Sequence, residues 1–209
     1  LETIAPVFFR NQPLGCTSTI VYQMYQEKGA IIDKKTAGIL LAAIISDTLM
    51  FRSPTCTQMD RAAAEALAKI AEVDIEELAK KMFEAGSDFK KKTTEELFYQ
   101  DFKTFHTDEF DFGVAQLSAM SDVQLGMAKK KLQPYLEIAL GEQKLDAVFV
   151  MLTDILDENS EVIYAGAQAG SLLKECFGEP DESGSFYLKG VVSRKKQMIP
   201  TLMAGLQQA

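Results

Sequence analysis

Asp47 stands where the longest apolar run of the chain, Ala37 to Ile45, gives way to Ser46-Asp47-Thr48. A carboxylate at such a boundary is partly desolvated and lies close to backbone donors. That suits the capture of a hard divalent cation through oxygen. An aspartate in the same place can equally bond its own backbone in a turn. Spacing alone leaves both readings open. A second group lies near the end of the chain, where Val191-Val192 leads into Ser193-Arg194-Lys195-Lys196-Gln197. Arginine offers a planar fork to phosphate oxygens and lysine a compact charge. Arg194 and Lys195 are therefore candidates for holding a small polyanion, against the alternative of a solvated basic loop. Lys103, between Phe102 and Thr104-Phe105, either snorkels past its aromatic neighbours to water or stands at the rim of a pocket.

The remaining candidates carry less. His106 is the single histidine, so the chain cannot assemble a histidine-rich metal cluster. Asp154 closes the apolar run Val148 to Thr153, where it is either functional or the start of a turn through Asp157-Glu158-Asn159. Cys16 and Cys56 have no paired histidine, which disfavours a cysteine nucleophile. No glycine-rich dinucleotide loop, Walker loop or nucleophile elbow is present.

These residues need elements to position them. Val7 to Arg10 reads as a short strand, closed by Asn11-Gln12-Pro13-Leu14-Gly15. Thr17 or Ser18 can cap a helix from Thr19 to Lys28, which Gly29 ends. Asp33 caps a helix from Lys34 to Ile45, with Ala37, Leu40, Leu41 and Ile44 on one face. Thr57-x-x-Asp60 resembles a capping box before a helix from Arg61 to Glu72, and Asp74-x-x-Glu77 opens another to Ala85. The polar stretch from Gly86 to Lys92 predicts a linker. Beyond it, Phe110 to Ser118, Ala147 to Thr153 and Glu161 to Ala165 read as strands, the second as a buried central one. Gly126 to Gly141 and Gly170 to Phe177 read as helices, and Phe186 to Leu188 and Val191-Val192 as short extended pieces. Strands alternating with helices indicate α/β.

The chain has 209 residues and a net charge of −8, which argues against nucleic acid as a partner because phosphate backbones reward clustered cations. No apolar run is long enough to span a bilayer, so no membrane partner is expected. Cys16, Cys56 and Cys176 are few and widely spaced, which suits a reducing, cytoplasmic setting better than a disulfide framework. The abrupt opening from Leu1 into the Pro6–Arg10 segment suggests a domain that lacks its start.

Three segments carry a resemblance. Residues 2–15 (Glu2 to Gly15) and the stretch Ala43-Ile44-Ile45-Ser46-Asp47-Thr48-Leu49-Met50-Phe51-Arg52-Ser53-Pro54-Thr55 resemble motifs of the family II, manganese-dependent inorganic pyrophosphatases. Gly190-Val191-Val192-Ser193-Arg194-Lys195-Lys196-Gln197 looks like that family's C-terminal signature. The resemblance implies an α/β chain in which residues 1–85 form the helix-rich C-terminal part of a DHH-type catalytic domain. Residues 86–92 would be the linker, and 93–209 a smaller DHH-associated domain with a mixed sheet that binds substrate. It implies hydrolysis of pyrophosphate to two phosphates by metal-activated hydroxide in a cleft between the domains. Asp47 would be a metal ligand, and Lys103, Arg194 and Lys195 the cations that grip the substrate. The metal would be Mn2+ or Co2+, with Mg2+ an option, and a homodimer would form through the strand near Val7 to Arg10. The family's Asp-His-His motif and its other N-terminal metal motifs do not occur in the 209 residues. The resemblance therefore also implies that this stretch alone is inactive. Alternatives of the same superfamily, such as an exopolyphosphatase-like phosphoesterase, or a non-catalytic dimerisation or regulatory segment, stay open at this point.

Overall fold

The structure, a computed structural model, describes residues 6–207. It divides into two compact units, residues 1–79 and 80–209, with the division falling inside a helix. That division lies a few residues before the expected linker, and the lysine-rich stretch at 90–92 belongs to the second unit.

The first unit is helical among its described residues. Helix α1 (Thr17–Glu27) begins two residues earlier than the sequence suggests, because Cys16 takes the cap position. Its backbone is extended, and its Sγ accepts from the Ser18 amide at 3.3 Å. Helix α2 (Lys34–Asp47) is capped by Asp33, which accepts from the amides of Lys35 and Thr36. It buries Ala37, Leu40, Leu41, Ile44 and Ile45 against α3 (Gln58–Ala71) and α1. Helix α3 turns Ala63, Ala64, Leu67, Ala68 and Ala71 inward, and these small residues let α2 approach closely. The capping box is present as read, Thr57 and Asp60 satisfying each other's amides. Helix α4 (Ile75–Gly86) follows, with the Glu77 amide donating to Asp74 at 2.8 Å.

The strand expected at Val7 to Arg10 does not form, and the part of that motif before Pro6 lies outside the described residues. A strand needs a neighbour to receive its amides and carbonyls, and the residues 6–10 pair with none. Phe8 is 79% exposed, with Val7 and Phe9 also open to solvent. Arg10 alone is tied down, donating to Glu27 at 2.7 Å and to Gln23 at 2.9 Å.

The second unit is a five-stranded mixed sheet in the order β1-β2-β3-β4-β5. Its strands are β1 (Phe102–His106), β2 (Asp111–Ala119), β3 (Ala147–Asp154), β4 (Asn159–Ala165) and β5 (Phe186–Lys189). Only β2 and β3 run parallel; the other neighbours are antiparallel. The crossover between the parallel pair contains α6 (Asp122–Leu132) and α7 (Leu136–Gln143). One continuous helix was expected there. Pro134 instead sits in a 3-10 turn, Gln133–Tyr135, that separates the two.

Strand β3 is central and buried on both faces, as its unbroken apolar run predicts. Val148, Val150 and Leu152 face a cluster with Leu125, Ala128, Leu132 and Leu136 of the crossover helices. Phe149 and Met151 face the opposite cluster, with Leu172 and Leu173 of α8 (Ala169–Phe177) and Leu202 of α9 (Ile199–Leu206). A short helix α5 (Thr94–Tyr99) precedes β1, announced by a second capping box, Thr93 with Glu96. The Lys131 ammonium donates to the carbonyls of Phe89, Lys90 and Lys92, holding that stretch against α6. Val191 and Val192 are not strand. Their carbonyls accept instead from Ser160 Oγ (2.6 Å) and Gln116 Nε2 (3.0 Å).

Candidate active-site residues

Asp47 is the last residue of α2 and is exposed, so its side chain is not buried in a self-contained turn. Helix C-termini carry roughly half a negative charge from their unpaired carbonyls. The last turn of α2 holds no basic residue to offset it. A cation is the favourable partner for a carboxylate at that end. The donor chemistry therefore fits a hard divalent metal. Burial and the Asp47 carboxylate together push the Cys16 thiol up to about 11, so at neutral pH it is no competing anion.

The residues after Asp47 are held in an unusual way. Thr48 is buried; its Oγ1 donates to the Ile44 carbonyl at 2.6 Å and accepts from the Phe51 amide at 3.2 Å. Leu49, Met50 and Phe51 then have φ of 48°, 51° and 69°, three successive non-glycine residues in left-handed conformation. Each costs about 1–2 kcal/mol, so the turn persists only because other contacts over-determine it. The Met50 amide donates to the Ile45 carbonyl (2.8 Å), and the Ser53 amide to Thr48 O (2.9 Å). Arg61 donates to the Phe51 carbonyl at 2.7 Å and stands over its ring at 5.0 Å. No sequence signal marks this turn, because glycine, the usual residue for such angles, is absent from it.

The basic residues lie in the second unit. Arg194 does not belong to a solvated loop. Its side chain is 7% exposed. Its Nη1 donates to the carbonyls of Asp101 (2.5 Å) and Val114 (3.0 Å), and its Nη2 to Asp101 Oδ1 (2.7 Å). Lys103 stands directly opposite Val114 in the β1–β2 ladder. Val114 thus pairs with Lys103 through the ladder and takes the Arg194 guanidinium on its carbonyl. Lys195 and Lys196 are exposed. They ride on a π-helical turn, Arg194–Met198, a feature frequent at functional sites. Ser193 Oγ caps it by accepting from the Lys196 amide at 3.2 Å. Gln197 staples the approach, accepting from the amides of Val192 and Ser193 and donating to Gly190 O. Asp101 and Gln116, which orient the basic turn, were not singled out in the sequence; Gln197 was read only as the last residue of the Ser193–Gln197 group.

The weaker candidates resolve into local roles. His106 Nδ1 is 3.0 Å from Asp111 on the surface. Asp154 accepts from the amides of Leu156 and Asp157, the turn that was its alternative reading. It also lies with Asp122 and Asp157 in an acidic cluster, and its hydrogen bond with Asp122 is the main cause of that carboxyl's raised pKa.

The DHHA2 domain model matches residues 80–204. Among curated relatives, the "Manganese-dependent inorganic pyrophosphatase" of Methanothrix thermoacetophila is 38% identical over 209 residues, which is 100% of this chain and 67% of the relative. The protein of the same name from Bacillus subtilis is 41% identical over 201 residues, 96% of this chain and 65% of its own. The chain thus spans about two thirds of the length of these relatives. A solved structure from Methanococcus jannaschii, assigned to the family II inorganic pyrophosphatases, aligns with a TM-score of 0.82 and 32% identity, covering 99% of this chain and 70% of that one. A domain model over most of the second unit, and relatives aligned along essentially the whole of this chain, show that this chain belongs to the family II, manganese-dependent inorganic pyrophosphatases.

Proposed function

We propose that this chain serves the hydrolysis of inorganic pyrophosphate to two phosphates. Asp47 acts as one ligand of a manganese site, with cobalt or magnesium as substitutes, and Lys103, Arg194 and Lys195 hold the substrate. The observation that carries the reading is that Arg194 and Lys103 both engage Val114, one through its carbonyl and one through the strand ladder, in a chain of net charge −8. A cationic spot in an acidic protein is selective for a small, dense anion. Manganese, when bound, supplies the Lewis acidity that makes water a nucleophile near neutral pH.

The chain's own residues supply the other half of the chemistry. Lys103 and Lys195 are exposed point charges able to meet phosphate oxygens, and they neutralise the charge that builds on the departing phosphate. Arg194 is the anchored member of the three. Asp101 and Val114 fix its fork, so its charge is in place before substrate arrives. In this reading the first unit is the C-terminal part of a DHH-type catalytic domain and the second the substrate-binding domain. Three unpaired cysteines favour a cytoplasmic location, and no described helix is long and apolar enough to cross a membrane.

Phosphate release from pyrophosphate with Mn2+ tests the proposal. The 209-residue chain, with one histidine and one candidate metal carboxylate, is expected to show little turnover and weak Mn2+ binding. The protein at the full length of its relatives is expected to be active and to prefer pyrophosphate over longer polyphosphates. Rapid turnover by the 209 residues alone, or preference for long chains, contradicts the assignment.

The exposed Val7-Phe8-Phe9 segment supports a further part of the proposal, a homodimer formed by pairing with a second copy. Sedimentation should show a dimer that Phe8→Asp converts to monomer. An unchanged sedimentation coefficient removes that segment from the interface.

A further inference from the structure

We infer that Asp60, fully buried at the start of α3, is a positioning residue for Asp47; the inference rests on the reading of Asp47 as a metal ligand. A capping box needs only the bonds between Asp60 and Thr57. Asp60 makes more. Its Oδ2 accepts from the Thr57 amide (2.8 Å), from Thr57 Oγ1 (2.7 Å) and also from the Gly15 amide (2.9 Å). Its Oδ1 accepts from Thr19 Oγ1 at 2.5 Å. One side chain, 0% exposed, therefore gathers the segment before α1, α1 itself and the loop that leads from α2 to α3.

Two routes run from this knot to Asp47. The first goes through the backbone. Gly15, fixed by Asp60, is followed by Cys16, which caps α1, and α1 packs against α2, whose last residue is Asp47. The second goes through packing. A Cβ on Gly15 would lie 2.9 Å from Thr48 Cγ2, 3.0 Å from Asp60 Oδ2 and 3.0 Å from the Thr55 carbonyl. Thr48, the neighbour of Asp47, is thus pressed against the same point. Its hydroxyl closes the end of α2 and starts the left-handed turn at Leu49–Phe51. Arg61, next to Asp60, holds the far end of that turn through Phe51 O. The first turn of α3 thereby grips both sides of the residue that would face the metal. Groups that orient metal ligands typically change metal affinity 10–100-fold when removed.

The test is Mn2+ affinity, read by titration and by the electron paramagnetic resonance of the ion, in the protein at the full length of its relatives. Asp60→Ala is expected to weaken Mn2+ binding about 10-fold. Asp60→Asn should restore it. The amide oxygen can still accept from Gly15 and Thr57, and its nitrogen can donate to the Thr19 hydroxyl. Leu67→Ala, a fully buried site on the same helix, lowers stability and should leave Mn2+ affinity unchanged. Where Asp60→Ala does not fold, Gly15→Ala drives a methyl into the same knot and should weaken binding in the same direction. Unchanged affinity in Asp60→Ala, with affinity lost in Asp47→Asn, overturns the positioning role and leaves the Asp47 assignment standing. Equal losses in Asp60→Ala and Leu67→Ala overturn it as well, because stability then explains both. If Asp47→Asn binds Mn2+ normally, the metal-ligand reading itself fails and the inference with it.

Discussion

In the protein at the full length of its relatives, replacing Arg194 by alanine is expected to lower pyrophosphate turnover about 10²–10³-fold, the usual effect of removing one preorganised donor to developing charge. The same change also disturbs the fold. It frees the Asp101 carboxylate and leaves the carbonyls of Asp101 and Val114 without their donor. Asp101 is half-exposed, so water can take over part of the loss. The structural cost is then about 1–3 kcal/mol, that of a hydrogen-bonded charged group left unpaired. A domain stable by about 5–15 kcal/mol stays folded after such a loss, so reduced stability alone cannot produce a hundredfold drop. Two companion variants separate the roles. Arg194→Lys keeps the charge and loses the fork, and should recover part of the turnover with little recovery of stability. Asp101→Asn keeps the guanidinium and weakens its anchor, and should act mainly on KM. The measurements are kcat and KM beside a urea midpoint. A drop in the midpoint with both kinetic constants unchanged reduces Arg194 to a structural anchor.

The legibility of this molecule in its sequence follows the range of the interactions. Helices α2 and α3 could be read because their caps, Asp33 and Thr57 with Asp60, act within three residues. Strand β3 could be read because burial on both faces leaves an unbroken apolar run. Helix α5 had the same kind of signal in Thr93 and Glu96 and was overlooked. The strand at Val7 to Arg10 carried strand-like composition, but composition cannot supply a partner. The left-handed turn after Asp47 was invisible, because the bonds that stabilise it come from Thr48 and from Arg61, ten residues beyond Phe51. The site showed the same division. The types of Asp47, Lys103, Arg194 and Lys195 could be picked out in the chain. The carbonyl of Val114 that takes Arg194 lies 80 residues away in sequence, and no local pattern announces it.

That rung also sets the second large effect. Lys103 of β1, Val114 of β2, Phe149 of β3 and Tyr164 of β4 are successive partners across the sheet. Phe149 is fully buried and meets Phe112 edge-on at 6.1 Å. It belongs to the cluster that holds Met198, the last residue of the basic turn, and Leu202 of the helix that follows. Phe149→Ala removes the ring from under that seat and is expected to cost about 3–5 kcal/mol. Leu152→Ala, on the same strand but in the opposite cluster, is expected to cost about 2–5 kcal/mol. Interiors are packed densely enough that a cavity shifts the groups lining it. The two variants should therefore agree in their urea midpoints and differ in function. In the protein at the full length of its relatives, Phe149→Ala should raise KM for pyrophosphate, because the turn bearing Arg194 and Lys195 loses its support, whereas Leu152→Ala should leave KM near that of the parent. Equal rises in KM would mean that general loosening, not the seat of the basic turn, limits substrate binding. Position on one face of a single strand is then what separates a residue that only stabilises the sheet from one that also holds the cations in place.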